Sequence, residues 1–104
     1  MEHNPRAHVV RLHGDLGLVD QKDVESQLPS PESVDRLVLD CSEVTSMDST
    51  IIVAIMNYRR RFIIAGKSAF DIVAIVSPRI EKLFELTGVS RSITVLPMTR
   101  KPSG

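Results

Sequence analysis

The segment 36–62, RLVLDCSEVTSMDSTIIVAIMNYRRRF, decides the fold of this chain. It opens with Arg36–Asp40, a run that is apolar on both faces, as is typical of a central parallel strand. In its second half the apolar residues recur at spacings of four, three and four, the pattern of an amphipathic helix. This helix is predicted to begin near Asp48–Ser49 and to end at Gly66, a residue type common just after a helix. The segment therefore predicts a buried strand, a long loop over 41–48, and a long helix.

The flanking segments continue this alternation of strands and helices. Further strands are predicted over Ala7–Leu16, Phe70–Val76 and Ser92–Pro97, each rich in β-branched or apolar residues. Helices are predicted over Leu18–Leu28 and Ser77–Gly88; the second has a serine cap, a proline in its first turn and a closing glycine. The order β-α-β-α-β-α-β predicts an α/β fold with an open, mostly parallel or mixed sheet of four to five strands. We expect the helices to pack mainly on one face.

The size and composition of the chain are those of one globular domain. It has 104 residues, of which 42% are hydrophobic and 25% charged. A single domain is expected over 1–104, with a core over about 7–97 and a flexible tail over 98–104. The one cysteine, Cys41, excludes an internal disulfide and fits a reducing cytoplasm. No apolar run is long enough for a membrane helix and no secretory signal is evident, so we expect a cytoplasmic domain, free-standing or part of a larger chain.

Two fragments that resemble catalytic motifs fail on spacing. Gly66–Ser68, GKS, matches the end of a phosphate-binding loop, but that loop needs a glycine where this chain has Arg61. Cys41 follows a strand, as a phosphatase nucleophile does, but Met47 stands where an arginine is required. A small buried thiol is the better interpretation of this cysteine. No nucleophile, base and orienting group can be assembled, so the sequence does not predict an enzyme.

Metal and nucleic-acid sites are also not predicted. The histidines His3, His8 and His13 are five residues apart, so the two within the first strand face opposite ways and cannot share a metal. The run Arg59–Arg61 could contact nucleic acid or anionic lipid. Cations in the last turns of a helix commonly interact with its dipole, however, and no aromatic stacking platform accompanies these. We expect no cofactor, no metal, no nucleic-acid partner and no direct membrane insertion.

The junction between the predicted loop 41–48 and the long helix is the candidate site. Functional groups of open α/β sheets gather where the carboxyl ends of strands lead into loops. This loop delivers Ser49 to the start of a helix. Judged from the residue types alone, Asp48 or Ser49 is a helix cap, which is the commonest role of these residues at that position. The alternative is that the hydroxyl of Ser49 carries the function.

Two stretches resemble the STAS family, the sulphate transporter and anti-sigma factor antagonist domains. The first is VDRLVLDCSEVTSMDST, Val34–Thr50, and the second is SPRIEKLFELTGVSRSITVLP, Ser77–Pro97. The resemblance runs from about residue 9 to residue 96. Four residues stand where the family pattern has them: Asp40, Val44, Asp48 and Ser49.

The resemblance implies a function for the serine. In the bacterial anti-sigma factor antagonists, the serine after the aspartate is phosphorylated by an anti-sigma factor that is also a serine kinase. By resemblance, Ser49 is the phosphoacceptor and Asp48 its structural neighbour in a partner-switching regulator of transcription. The unphosphorylated protein would hold the anti-sigma factor and free the sigma factor, and phosphorylation would reverse this. A second class stays open: the cytoplasmic STAS domain of an anion transporter or other multidomain protein, acting as a scaffold.

The chain departs from the family directly after the serine. Antagonists commonly continue Ser-Gly-Leu-Gly, where this chain has Thr50, Ile51, Ile52 and Val53. Ile51 and Val53 point about 160° apart on a helix, so at least one residue of the run 51–53 should be exposed. We predict a partner-binding surface formed by Asp48, Ser49, Thr50 and Val53. In this hypothesis Val53 supplies an apolar contact to a partner or to a second copy.

Overall fold

Four strands form one sheet in the order β1-β2-β3-β4, and each neighbouring pair is parallel. The computed structural model describes residues 6–98. Its strands are β1 (Ala7–Leu16), β2 (Arg36–Met47), β3 (Ile72–Val76) and β4 (Thr94–Pro97). Its helices are α1 (Gln21–Gln27), α2 (Ser49–Ile64) and α3 (Pro78–Thr87), with short 3-10 turns over Leu18–Asp20, Pro31–Ser33, Ala69–Asp71 and Val89–Arg91. Of the tail predicted over 98–104, all but Met98 lies outside the described residues.

The three helices cover one face of this sheet. The strands lie side by side in the order in which they occur in the chain. With this order, right-handed crossovers all pass over the same face of the sheet. Alternate strand residues are buried there, and one such row lies in register across the sheet: Val10, Leu39 and Ala74. They share a single core with buried residues of all three helices. The predicted α/β fold is thereby confirmed, as a four-stranded parallel sheet with its helices on one face.

Helix α2 supplies the largest part of the helical side of the core. Its buried residues are Ile51, Ile52, Ala54, Ile55, Tyr58 and Phe62. The rings of Tyr58 and Phe62 lie 5.9 Å apart between centroids. The helix ends one residue before Ala65, and Gly66 follows with φ +87°, a conformation that glycine adopts without strain. The predicted bounds and apolar stripe of this helix are confirmed.

The predicted loop over 41–48 is wrong, because β2 continues to Met47. Val44 and Met47 turn into the core, and β1 remains paired with β2 as far as Leu16 opposite Met47. Burial of these side chains together with backbone pairing favours strand over loop. Only Asp48 separates β2 from α2.

Three other predicted boundaries are wrong by two or three residues. β3 was predicted from Phe70 but begins at Ile72, and Phe70 is exposed in the preceding 3-10 turn. β4 begins at Thr94 rather than Ser92, because another 3-10 turn precedes it. The first helix opens as a 3-10 turn and becomes α-helical only at Gln21. Short 3-10 turns commonly connect regular elements, and they leave little signal in apolar periodicity.

Cys41 is a buried thiol, as predicted. Its side chain is fully inside the core. Burial, and then the neighbouring charge of Asp40, raise the pKa of the Cys41 thiol to about 12. The reactive thiolate is therefore strongly disfavoured in the folded chain.

No helix within residues 6–98 is long and apolar enough to cross a bilayer.

Candidate functional site

The start of α2 lies at the edge of the sheet where the four parallel strands end. The last residues of β1 and β2 are Leu16 and Met47, and they lie opposite each other in the pairing register. The backbone amide of Asp48 donates a hydrogen bond to the carbonyl of Leu16, with a length of 2.8 Å. This bond fixes the beginning of α2 against the end of β1. The predicted site residues therefore follow a junction that is hydrogen-bonded to the sheet.

Asp48, and not Ser49, caps the helix. Its backbone is extended at φ −75° and ψ 158°, the usual N-cap conformation. Its Oδ2 atom accepts hydrogen bonds from the backbone amide of Thr50 at 3.0 Å and from the Thr50 hydroxyl at 2.8 Å. These two bonds, in that order, lower the pKa of Asp48, with a smaller contribution from the amide of Ser49. Asp48 therefore presents a fixed negative charge at the positive end of the helix dipole.

Ser49 is the first residue of α2 and is exposed. Within residues 6–98 its hydroxyl takes part in no hydrogen bond, whereas the hydroxyl of the half-buried Thr50 is engaged by Asp48. A reagent or partner arriving from solvent meets the Ser49 hydroxyl without having to break an existing contact. The two adjacent hydroxyls are thus distinguished by their bonding as well as by their exposure.

The amides of the first turn are largely occupied. The amide of Thr50 binds the Asp48 carboxylate, and those of Ile51 and Ile52 bind the Asp48 carbonyl at 3.0 and 3.3 Å. An anion attached to Ser49 would find few free backbone donors in this turn. It would remain in solvent beside the Asp48 carboxylate, where it adds to the negative charge already present.

Val53 lies one turn after Ser49 on the same side of α2. Its side chain is 52% exposed, whereas Ile51 and Ile52 are buried. The prediction that at least one residue of the run 51–53 faces solvent is confirmed. The predicted contact made by Val53 stays a prediction.

Two further apolar residues at the same edge are exposed, and their exposure is not predicted from the sequence. Leu18 and Val19 lie in the 3-10 turn after β1, which contacts α2, and Val19 is 92% exposed. Both belong to the segment Leu18–Leu28 that the sequence predicts to be a helix. Two consecutive apolar residues in a short turn cannot both face the core, and this was the available signal. The turn that carries them contacts α2, the helix on which Val53 is also exposed.

The other two residues of the family pattern do not join this site. Asp40 lies on the sheet face opposite the helices, where its Oδ1 accepts bonds from the amide and hydroxyl of Ser42 at 3.1 and 2.7 Å. These bonds, and more weakly Arg11, lower the pKa of Asp40. Val44 is buried in the core. Both residues lie on β2, the strand that leads to Asp48 and Ser49.

Comparisons with known proteins agree with this architecture. A family model described as the STAS domain matches residues 1–101. No curated protein matches the sequence significantly. Among eight matching solved chains is one titled "Structure of the Anti-Sigma Factor Antagonist SpoIIAA in its Unphosphorylated Form". It superposes with a TM-score of 0.70 over 96% of this chain and 86% of that one, at 15% sequence identity. A likeness at this identity shows a shared fold.

Proposed function

The chain belongs to the STAS domain family, and on that premise we propose that it is a regulatory protein-binding domain of the anti-sigma factor antagonist type. Its switch is phosphorylation of Ser49 by a partner that is both anti-sigma factor and serine kinase. The observation that carries the proposal is the exposed hydroxyl of Ser49, which is free of hydrogen bonds within residues 6–98. The binding surface comprises Asp48, Ser49, Thr50 and Val53. The domain acts in the cytoplasm by binding rather than by catalysis.

The bonding at the start of α2 supports a switch that leaves the fold unchanged. The helix is capped by Asp48 whether or not Ser49 carries a phosphate, since the Ser49 hydroxyl contributes nothing to the cap. A phosphate adds a charge of about −1.5 to −2 and three acceptor oxygens. That charge is added next to an existing carboxylate, so the local surface changes from weakly to strongly negative. A partner surface matched to the first state repels the second.

Phosphate mapping tests the proposed modification. When the chain is incubated with ATP and an extract of its native cell, we expect one phosphate, located on Ser49, by intact mass and peptide sequencing. Thr50 should stay unmodified, because its hydroxyl is bound to the Asp48 carboxylate. Thr50→Val is the matched control and should still accept the phosphate. Modification of Thr50, or undiminished phosphate on Ser49→Ala, would contradict the assignment.

A second prediction concerns the contact made by Val53. Val53→Asp should leave the free energy of unfolding within about 1 kcal/mol, as surface changes usually do, and yet abolish capture of the kinase-like partner. Leu86→Asp is the control, because Leu86 is also exposed and apolar but lies on α3. Thermal unfolding and a binding titration measure the two effects. Val53 has no role in binding if the folded variant captures the partner normally, and it is a core residue if the variant unfolds.

A further inference from the structure

The sheet face opposite the helices, here called the open face, is apolar at its centre. Two rows in register cross it, one of Val9, Val38, Val73 and Thr94, and one of Arg11, Asp40, Ile75 and Leu96. No helix of residues 6–98 lies over these rows. Val9 and Leu96, on the two outer strands, are 53% and 48% exposed. Between them, Val38, Val73 and Ile75 are half-buried, although no helix of residues 6–98 covers them.

An uncovered face is unusual for a sheet in which all neighbouring strands are parallel. Purely parallel sheets occur almost only where both faces are covered, whereas sheets with one wet face are usually antiparallel and carry polar residues on it. Here the outward positions of the two central strands include Val38, Val73 and Ile75. An apolar centre on an uncovered parallel sheet points to an interaction surface.

The charges on the open face are arranged to match a second copy of themselves. The outward residues of β2 run Arg36, Val38 and Asp40, which are a cation, an apolar residue and an anion at equal spacing. A two-fold axis through Val38 places Arg36 of each copy against Asp40 of the other. The ion pairs that these residues make within the chain are long: Arg36 lies 3.4 Å from Asp71, and the Oδ2 atom of Asp40 lies 3.8 Å from Arg11, while its Oδ1 atom is bound by Ser42. These four charges sum to zero, so two open faces do not repel each other.

We propose that the open face is a self-association surface, which joins two copies of this chain sheet to sheet about a two-fold axis at Val38. Four strands about 4.8 Å apart and about five residues long at 3.4 Å per residue present roughly 300 Å² of surface per copy. A stable interface buries about 800 Å² per partner. The dimer is therefore weak, reversible and dependent on concentration. It leaves the edge bearing Ser49 accessible, so it does not depend on the function proposed for that edge.

Sedimentation velocity of the full chain, between about 10 µM and 1 mM, tests the proposal. The wild type should move from monomer towards dimer across this range. Arg36→Asp and Asp40→Arg each place like charges opposite each other, and each should weaken the dimer at least tenfold. The double variant Arg36→Asp/Asp40→Arg restores opposite charges across the axis and should recover dimerisation. Val9→Glu, at an exposed position of the edge strand, should also weaken the dimer even if the charge variants fold poorly.

Control variants on other surfaces test whether the open face is responsible for association, and thermal unfolding checks that each variant is folded. Leu86→Glu, on the helical side, and Val53→Asp, at the Ser49 edge, should dimerise as the wild type does. A wild type that stays monomeric up to about 1 mM overturns the proposal. So does a dimer that is unaffected by Val9→Glu, or a well-folded double variant in which association is not restored.

Discussion

Ser49→Asp should bind the kinase-like partner at least tenfold more weakly than the wild type, whereas Ser49→Ala should bind about as tightly. Each pair of like unit charges brought to about 4 Å costs about 1 kcal/mol in water and about 4 kcal/mol at an effective dielectric constant of about 20. A difference of about 1.4 kcal/mol is a tenfold change in affinity. The added carboxylate stands beside that of Asp48, which is already ionised and held in place by Thr50. Titration calorimetry with the purified partner measures the change.

Two further measurements make this result specific. Thermal unfolding should show that both Ser49 variants keep the wild-type stability, because the cap belongs to Asp48. The phosphorylated wild type should be weakened at least as much as Ser49→Asp, since a phosphate carries more charge than a carboxylate. Equal affinity of Ser49→Ala and Ser49→Asp would rule out an electrostatic switch at this residue.

Phe62→Ala should lower the free energy of unfolding by about 3–5 kcal/mol, the usual cost of truncating a buried aromatic residue. Phe62 is 0% exposed, and its ring packs near that of Tyr58 in the centre of the core. Since small domains have about 5–15 kcal/mol of stability in total, the variant should lose a large share of its stability but can still be folded at ambient temperature. Urea unfolding followed by circular dichroism measures the difference.

Ile64→Ala is the matched control on the same helix. Ile64 is 78% exposed, so its truncation should change the free energy of unfolding by no more than about 0.5 kcal/mol. A loss of less than about 1 kcal/mol for Phe62→Ala would mean that α2 does not pack on the sheet as described.

The predictions of α2 and α3 were accurate because both helices carry several independent signals. α3 has Ser77 as a cap, a proline in its first turn and Gly88 in a left-handed conformation after its end.

The full length of β2 had no such signal in the sequence. Its buried residues Cys41, Val44 and Met47 are three apart, which is not the period of a strand. The structure explains this spacing, because at two points β2 contains one more residue than the paired segment of β1.

Only those features of the candidate site that depend on local sequence could be predicted. The position of Ser49 followed from the order of strand, aspartate and helix, which is local in the chain. Whether Asp48 or Ser49 caps the helix depends on backbone angles and on the hydroxyl of Thr50, and residue types alone left it open. The exposure of Leu18 and Val19 depends on where β1 ends against α2, which is a tertiary relationship.

The order of the strands in the sheet also bears on how the chain folds. Every strand pairs only with its predecessor or successor in the sequence, across a single crossover. A chain emerging from the ribosome can therefore pair β1 with β2 once β2 has emerged, before β3 and β4 are available. No strand has to wait for a later segment to be inserted between it and a neighbour. The four-residue β4 is synthesised last and lies at an edge, so we expect it to open more readily to hydrogen exchange than the two central strands.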